Sequence, residues 1–222
     1  MSSLPNRQTE QRIAPNTRGE QLLEEHSCRS CHARDGGAGI SPLLGAVVDA
    51  APELAARRAV LAPPPLTGVG DKLQQDALVA AISTEAGRRR PWLDVRMPRF
   101  HLAKDEMDQL VRHLIDCDRM PQLPPAATAD ERGLLASGSR LVTTSGFGCT
   151  RCHQIGQVAP VGVEVGAQGA ALNEIGTRLR RGWFDRWVRN PGRIVPRMEM
   201  TAIQIAVPGV LHEDVDRQPA AV

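Results

Sequence analysis

The sequence predicts two consecutive domains of helical character, and three observations predict it. The pentapeptide C-x-x-C-H occurs twice, as Cys28-Arg29-Ser30-Cys31-His32 and as Cys149-Thr150-Arg151-Cys152-His153, each with matching sequence around it. The apolar periodicities that can be read are helical, and no βαβ pattern is visible. At 222 residues the chain has room for two domains of ordinary size.

The first helix starts at Thr17, because Thr17-Arg18-Gly19-Glu20 has the form of a capping box with Glu20 at its third helical position. Leu22 and Leu23 give that helix an apolar face as it runs into Cys28. A glycine-rich turn (Gly36, Gly37, Gly39) follows His32, then an insertion in which Val47, Val48, Leu54 and Val60 have weak helical spacing. Pro63-Pro64-Pro65 leads into the octet Leu66–Leu73, and a helix with Leu78, Ala81 and Ile82 on one side ends at the arginines 88 to 90. After Trp92 and Arg96-Met97-Pro98-Arg99-Phe100, an apolar stripe at Met107, Leu110, Val111, Leu114 and Ile115 marks an amphipathic closing helix. Pro121, Pro124 and Pro125 then make residues 118–129 a semi-rigid linker, so the domains are residues 1–117 and 130–222.

The second half repeats the plan. Leu134, Leu135, Leu141 and Val142 precede its C-x-x-C-H, and Leu172–Leu179 matches the Leu66–Leu73 octet at leucine, glycine, a basic residue and leucine. Trp183, Phe184, Trp187 and Val188 make one helical face ending at Asn190-Pro191, and Pro196 to Met200 follows. Leu211-His212-Glu213-Asp214-Val215 is the expected start of a closing helix equivalent to residues 104–115; it runs barely two turns before Val222, so a chain cut short at its C-terminus is the expectation.

C-x-x-C-H is the attachment signature of c-type haem. Two thiols one short turn apart reach the two porphyrin vinyl groups, and the adjacent histidine is placed to ligate iron from one face. A zinc site would need four converging ligands, against two pairs separated by 117 intervening residues. A redox dithiol would be expected beside a βαβ pattern. Aromatic residues are only 3% of the chain, with no tyrosine, a thin supply of large core groups that a covalently held haem in each half would make good.

In the order C-x-x-C-H, a P-x-L-x-G-x-G-like stretch, M-P-x-F and a final amphipathic helix, nearly the whole chain resembles the class I cytochrome c family, here as a tandem dihaem cytochrome. The resemblance implies an all-α fold of two cytochrome c-like domains, each wrapped around one of two covalently attached haem c groups. It implies attachment through Cys28, Cys31, Cys149 and Cys152, proximal iron ligands His32 and His153, and distal ligands Met97 and Met200. The second half departs from the pattern. Thr201 stands where proline would follow the methionine, Met198 competes with Met200, and Ala170 replaces the proline, here Pro64, whose carbonyl orients the proximal histidine.

Other residues carry blander expectations. Met107 belongs to the core, His26, His101, His113 and His212 are surface or helix-end residues, and Cys117 is a bystander flanked by carboxylates. Trp92 and Trp183 pack against haem. The arginines at 178, 180, 181, 186, 189, 193 and 197 form a solvated face or, more sharply, a docking patch or propionate anchor. Net charge is +2, and neither half, with 16 basic against 16 acidic and 11 against 9, is basic enough for nucleic acid. Haem attachment implies a periplasmic or membrane-facing location, yet Met1–Thr17 lacks an apolar signal run and no membrane span is present, so a signal or anchor absent from this chain is expected. The function expected is electron carriage between redox partner proteins, not catalysis, with a dihaem peroxidase or the cytochrome module of a larger membrane or dehydrogenase complex as alternatives.

Overall fold

The computed structural model describes residues 17–57, 61–83, 96–120, 131–163, 168–194 and 200–222. In chain order the helices are α1 (Thr17–Glu25), α2 (Cys28–Cys31), α3 (Leu44–Ala50), α4 (Val69–Lys72), α5 (Gln75–Ile82), α6 (Lys104–Asp118), α7 (Glu131–Leu141), α8 (Ile175–Arg178), α9 (Arg181–Arg189), α10 (Pro191–Ile194) and α11 (Gln218–Ala221). Tight 3-10 turns lie at Ser41–Leu43, Pro52–Arg57, Cys149–Arg151 and Leu211–Glu213. Among the described residues β pairing is confined to isolated bridges, and the fold is all-α. The Pro-rich linker from Pro121, together with Val60, arginines 88 to 90, Trp92, Pro196, Arg197 and Met198, falls outside the described residues.

The first half is held by the crossing of α1 on α6. Leu110, Val111 and Leu114 of the predicted stripe are buried against Leu22 and Leu23, with Met107 and Ile115 partly buried on the same cluster. Each such side chain removed from water contributes roughly 1.5–3 kcal/mol. The crossing is close because α1 has glycine there: a Cβ on Gly19 would lie 2.2 Å from His113 Cβ. His113 is therefore buried at 2% exposure, which corrects the surface placement the sequence suggested. The C-terminus of α6 is tied down by charge. Arg34, just after the first C-x-x-C-H, is buried; its guanidinium donates to both Asp118 carboxylate oxygens at 3.2 Å and to the Leu66 carbonyl at 2.7 Å. Asp118, the first residue assigned to the linker, is thus the last turn of α6.

In the insertion, α3 forms but buries only Leu44, while Leu43 and Val47 stay exposed. In the second half Leu141 is buried with Val207 and Val210, while Leu135 is 71% exposed. The closing element also differs from expectation. Leu211, His212 and Glu213 have φ of 46°, 56° and 58°, a left-handed run that cannot continue as an α-helix. The helix that closes this half is α11, entered through Pro219, whose fixed φ suits a first turn. It packs on α7 at Gly138, where a Cβ would lie 2.1 Å from the Ala221 carbonyl oxygen. Buried Gln218 anchors it, accepting from Val207 N–H and donating to the Val207 and Val210 carbonyls.

The two halves meet through the matching octets. Leu73 and Leu179 form an antiparallel bridge, with Gln74 N–H donating to the Arg178 carbonyl at 2.8 Å and Arg180 N–H to the Lys72 carbonyl at 2.9 Å. The Gln74 amide adds bonds to the Gly176 and Leu179 carbonyls, and the Arg180 side chain donates to the Leu73 carbonyl. Arg186 of α9 pairs with buried Asp71 of α4. The arginine-rich stretch is thus neither simply a solvated face nor an open docking patch. Arg180 and Arg186 brace the halves, Arg181 bonds Asp185 and the Pro219 carbonyl, and Arg189 bonds Asp216.

Candidate haem sites

Both C-x-x-C-H segments fold as one tight turn entered through a left-handed residue, Ser27 in one and Gly148 in the other. In each, the histidine N–H closes the turn on the first cysteine's carbonyl, at 3.0 Å for His32 and 2.9 Å for His153. His32 Nδ1 then lies 2.7 Å from the Pro64 carbonyl oxygen. His153 Nδ1 lies 2.7 Å from the Ala170 carbonyl oxygen. A carbonyl only accepts, so Nδ1 carries a proton in both rings, and in the neutral imidazole the lone pair is then on Nε2. The proline missing from the second half costs nothing in this contact, because the acceptor is backbone.

The supporting bonds match one for one. Leu66 N–H donates to the Ala33 carbonyl at 2.8 Å, as Leu172 N–H does to the Gln154 carbonyl at 2.9 Å. Asp35 N–H donates to the Thr67 hydroxyl, as Gly156 N–H does to the Asn173 amide oxygen. One difference is local: at Gly169 a Cβ would lie 2.3 Å from His153 Cε1, so the residue before Ala170 must be small for the imidazole to seat.

None of the four motif cysteines is paired in a disulfide. Cys31 and Cys152 are exposed, while burial pushes the Cys28 and Cys149 thiols above their ordinary pKa. Arg29, inside the first motif, forms an ion pair with Glu20, whose carboxylate also takes His113 Nε2 at 3.0 Å. The Arg29 contact, then the His113 charge, hold Glu20 below the ordinary glutamate range. Both Glu20 oxygens accept from the Arg29 guanidinium of the motif.

Met97 lies in the irregular segment before α6, with its side chain exposed. The Met200 thioether accepts the Trp187 indole N–H at 3.1 Å, and Trp187 stacks on Trp183 with centroids 5.0 Å apart. Trp187 was legible only as part of an apolar helix face, because nothing in the sequence links a helix tryptophan to a sulfur 13 residues on. Of the other histidines, His26 packs edge-on to Phe100, and His101 and His212 are exposed. Cys117 Sγ sits 3.8 Å from the His113 ring nitrogens, its thiol raised by burial.

These donors fit a covalently attached haem. In each motif two cysteines outside any disulfide flank one turn, and the adjacent imidazole is fixed through Nδ1, which leaves Nε2 as the nitrogen that would ligate iron. Among the described residues no three His, Cys, Asp or Glu side chains converge as a metal cluster, nor is any helix long and apolar enough to cross a membrane. No curated protein matches the chain. The family model described as cytochrome c oxidase, cbb3-type, subunit III matches residues 14–137, a span that holds Cys28–His32 and Met97 and ends ahead of Cys149. That match takes in more than half of the 222 residues, and the chain belongs to the cbb3-type cytochrome c oxidase subunit III family, a family of c-type cytochrome domains.

Proposed function

We propose that the chain is a dihaem c-type cytochrome that carries electrons between redox partners, on the extracytoplasmic side and within or beside a membrane oxidase complex. Each haem c supplies a one-electron ferrous/ferric couple. In this reading Cys28 and Cys31 hold the first haem and Cys149 and Cys152 the second. His32 and His153 ligate from one side, Met97 and Met200 from the other. Occupation of both axial positions leaves no open coordination site, the reason for preferring a carrier to a peroxidase.

The observation that carries the reading is the shared histidine geometry. Nδ1–H donates to a backbone carbonyl at 2.7 Å in both motifs, which fixes the ring and raises the basicity of Nε2. The bridge between Leu73 and Leu179 joins the two octets that follow those carbonyls, so the sites are held in one frame.

Haem content tests it. Pyridine haemochrome assay and intact mass should give about two haems per chain in the wild type, and one in the double variant Cys149→Ser, Cys152→Ser. A wild-type ratio of one would reject the dihaem reading while leaving the first site intact.

A further inference from the structure

We propose that Trp187 is a positioning residue for Met200, and that Lys72 of the first half sets how strongly it acts. The reduction potential of the second haem then depends on a side chain of the first half. The inference rests on the reading of Met200 as the second haem's distal ligand.

An indole N–H can only donate, and a thioether is a weak acceptor. The 3.1 Å bond from Trp187 Nε1 therefore fixes the Met200 sulfur and draws electron density from it. A sulfur that donates less stabilises the ferric state less, so the bond favours the reduced form. Trp187 is itself held. It stacks on buried Trp183 with an interplanar angle of 15°, both on α9.

The Lys72 ammonium stands 4.8 Å from the Trp183 ring centroid and 6.0 Å from that of Trp187. A cation over a π face is attracted to it and polarises the ring, which makes the N–H a better donor. The backbone fixes Lys72 in turn, since its carbonyl accepts the Arg180 N–H. The path runs from α4, across the contact between halves, through two stacked indoles to one sulfur.

The experiment is a redox titration of the haem-loaded protein, following the sulfur-to-iron absorption band of the oxidised state. Met200→Ala should abolish the second haem's share of that band. Trp187→Phe, which keeps an aromatic ring without the donor, should shift the second couple's equilibrium about threefold to tenfold toward oxidised, roughly 28 to 59 mV at ~59 mV per tenfold. Lys72→Met should move it the same way by a smaller amount, and Lys72→Arg should restore it, with the first couple unchanged throughout. If Trp187→Phe does not load haem, the two Lys72 variants decide alone. Unchanged potentials in the Trp187 and Lys72 variants, beside a Met200→Ala effect, overturn the proposal and spare the ligand assignment. A band indifferent to Met200→Ala overturns both.

Discussion

The Pro64 and Ala170 carbonyls accept from His32 and His153 at the same 2.7 Å, so the side chain at that position is not what orients the ring. Pro64→Ala should therefore leave haem content and the visible spectrum unchanged. It should lower stability by only about 0.4–1 kcal/mol, through a more flexible unfolded chain, as denaturant titration would read. Gly169→Ala should do the reverse. Its methyl would fall 2.3 Å from the His153 ring, so the imidazole must leave its carbonyl, and loss of the second haem's spectrum with the first retained is the expected outcome. The sequence let both histidines and the four cysteines be named as candidates, because attachment chemistry would fix their spacing. The sequence placed Ala170 at the position of Pro64 but did not show that its contact survives the loss of proline, since a backbone acceptor leaves no mark on residue type. Trp187 was not legible either, since its sulfur partner lies beyond any local period.

At the scale of elements, the stripe on α6 was readable because one face of a long helix must bury against α1. What joins those helices to the first haem motif was not. Glu20 of α1 binds Arg29 of α2 and His113 of α6, a three-element charge cluster assembled from residues far apart in sequence. The Arg29 contact depresses the folded pKa of Glu20 relative to its ordinary 4.5. The stabilisation is therefore present above that value and is lost as pH falls through the lower folded one. Acid unfolding followed by circular dichroism should show this, and Glu20→Gln should flatten the pH dependence below 4.5 while lowering stability at neutral pH. The second closing helix was misplaced for a physical reason. Leu211–Val215 was read as helical, but the chain turns left-handed there, and Gln218, a polar residue that no apolar periodicity marks, supplies the anchor.

On the scale of the whole molecule, the contact between halves rests on few bonds, and the three made by Gln74 can be removed without strain. Gln74 has φ −65°, a value proline adopts, and Leu73 before it is extended at ψ 145°. Gln74→Pro keeps both conformations but deletes the N–H to Arg178 and the amide bonds to Gly176 and Leu179. Calorimetry should then resolve a single melting transition into two, one for each half, with haem content unchanged. The composition of the arginine-rich stretch was plain in the sequence; its use as an internal brace was not, because the Asp71 partner of Arg186 lies in the other half.

The pairing at that contact is reciprocal. Residue 74 donates to residue 178 and residue 180 to residue 72, around the bridge of 73 to 179. The octet alignment pairs 72, 73 and 74 with 178, 179 and 180, so the bond from 74 to 178 recurs as the bond from 180 to 72 and only the central 73–179 pair joins a position to its own counterpart, the rule of an isologous contact between identical subunits about a twofold axis. The chain has closed, within one polypeptide, an edge that is complementary to itself, and a protein carrying that segment only once would present it open to a second copy.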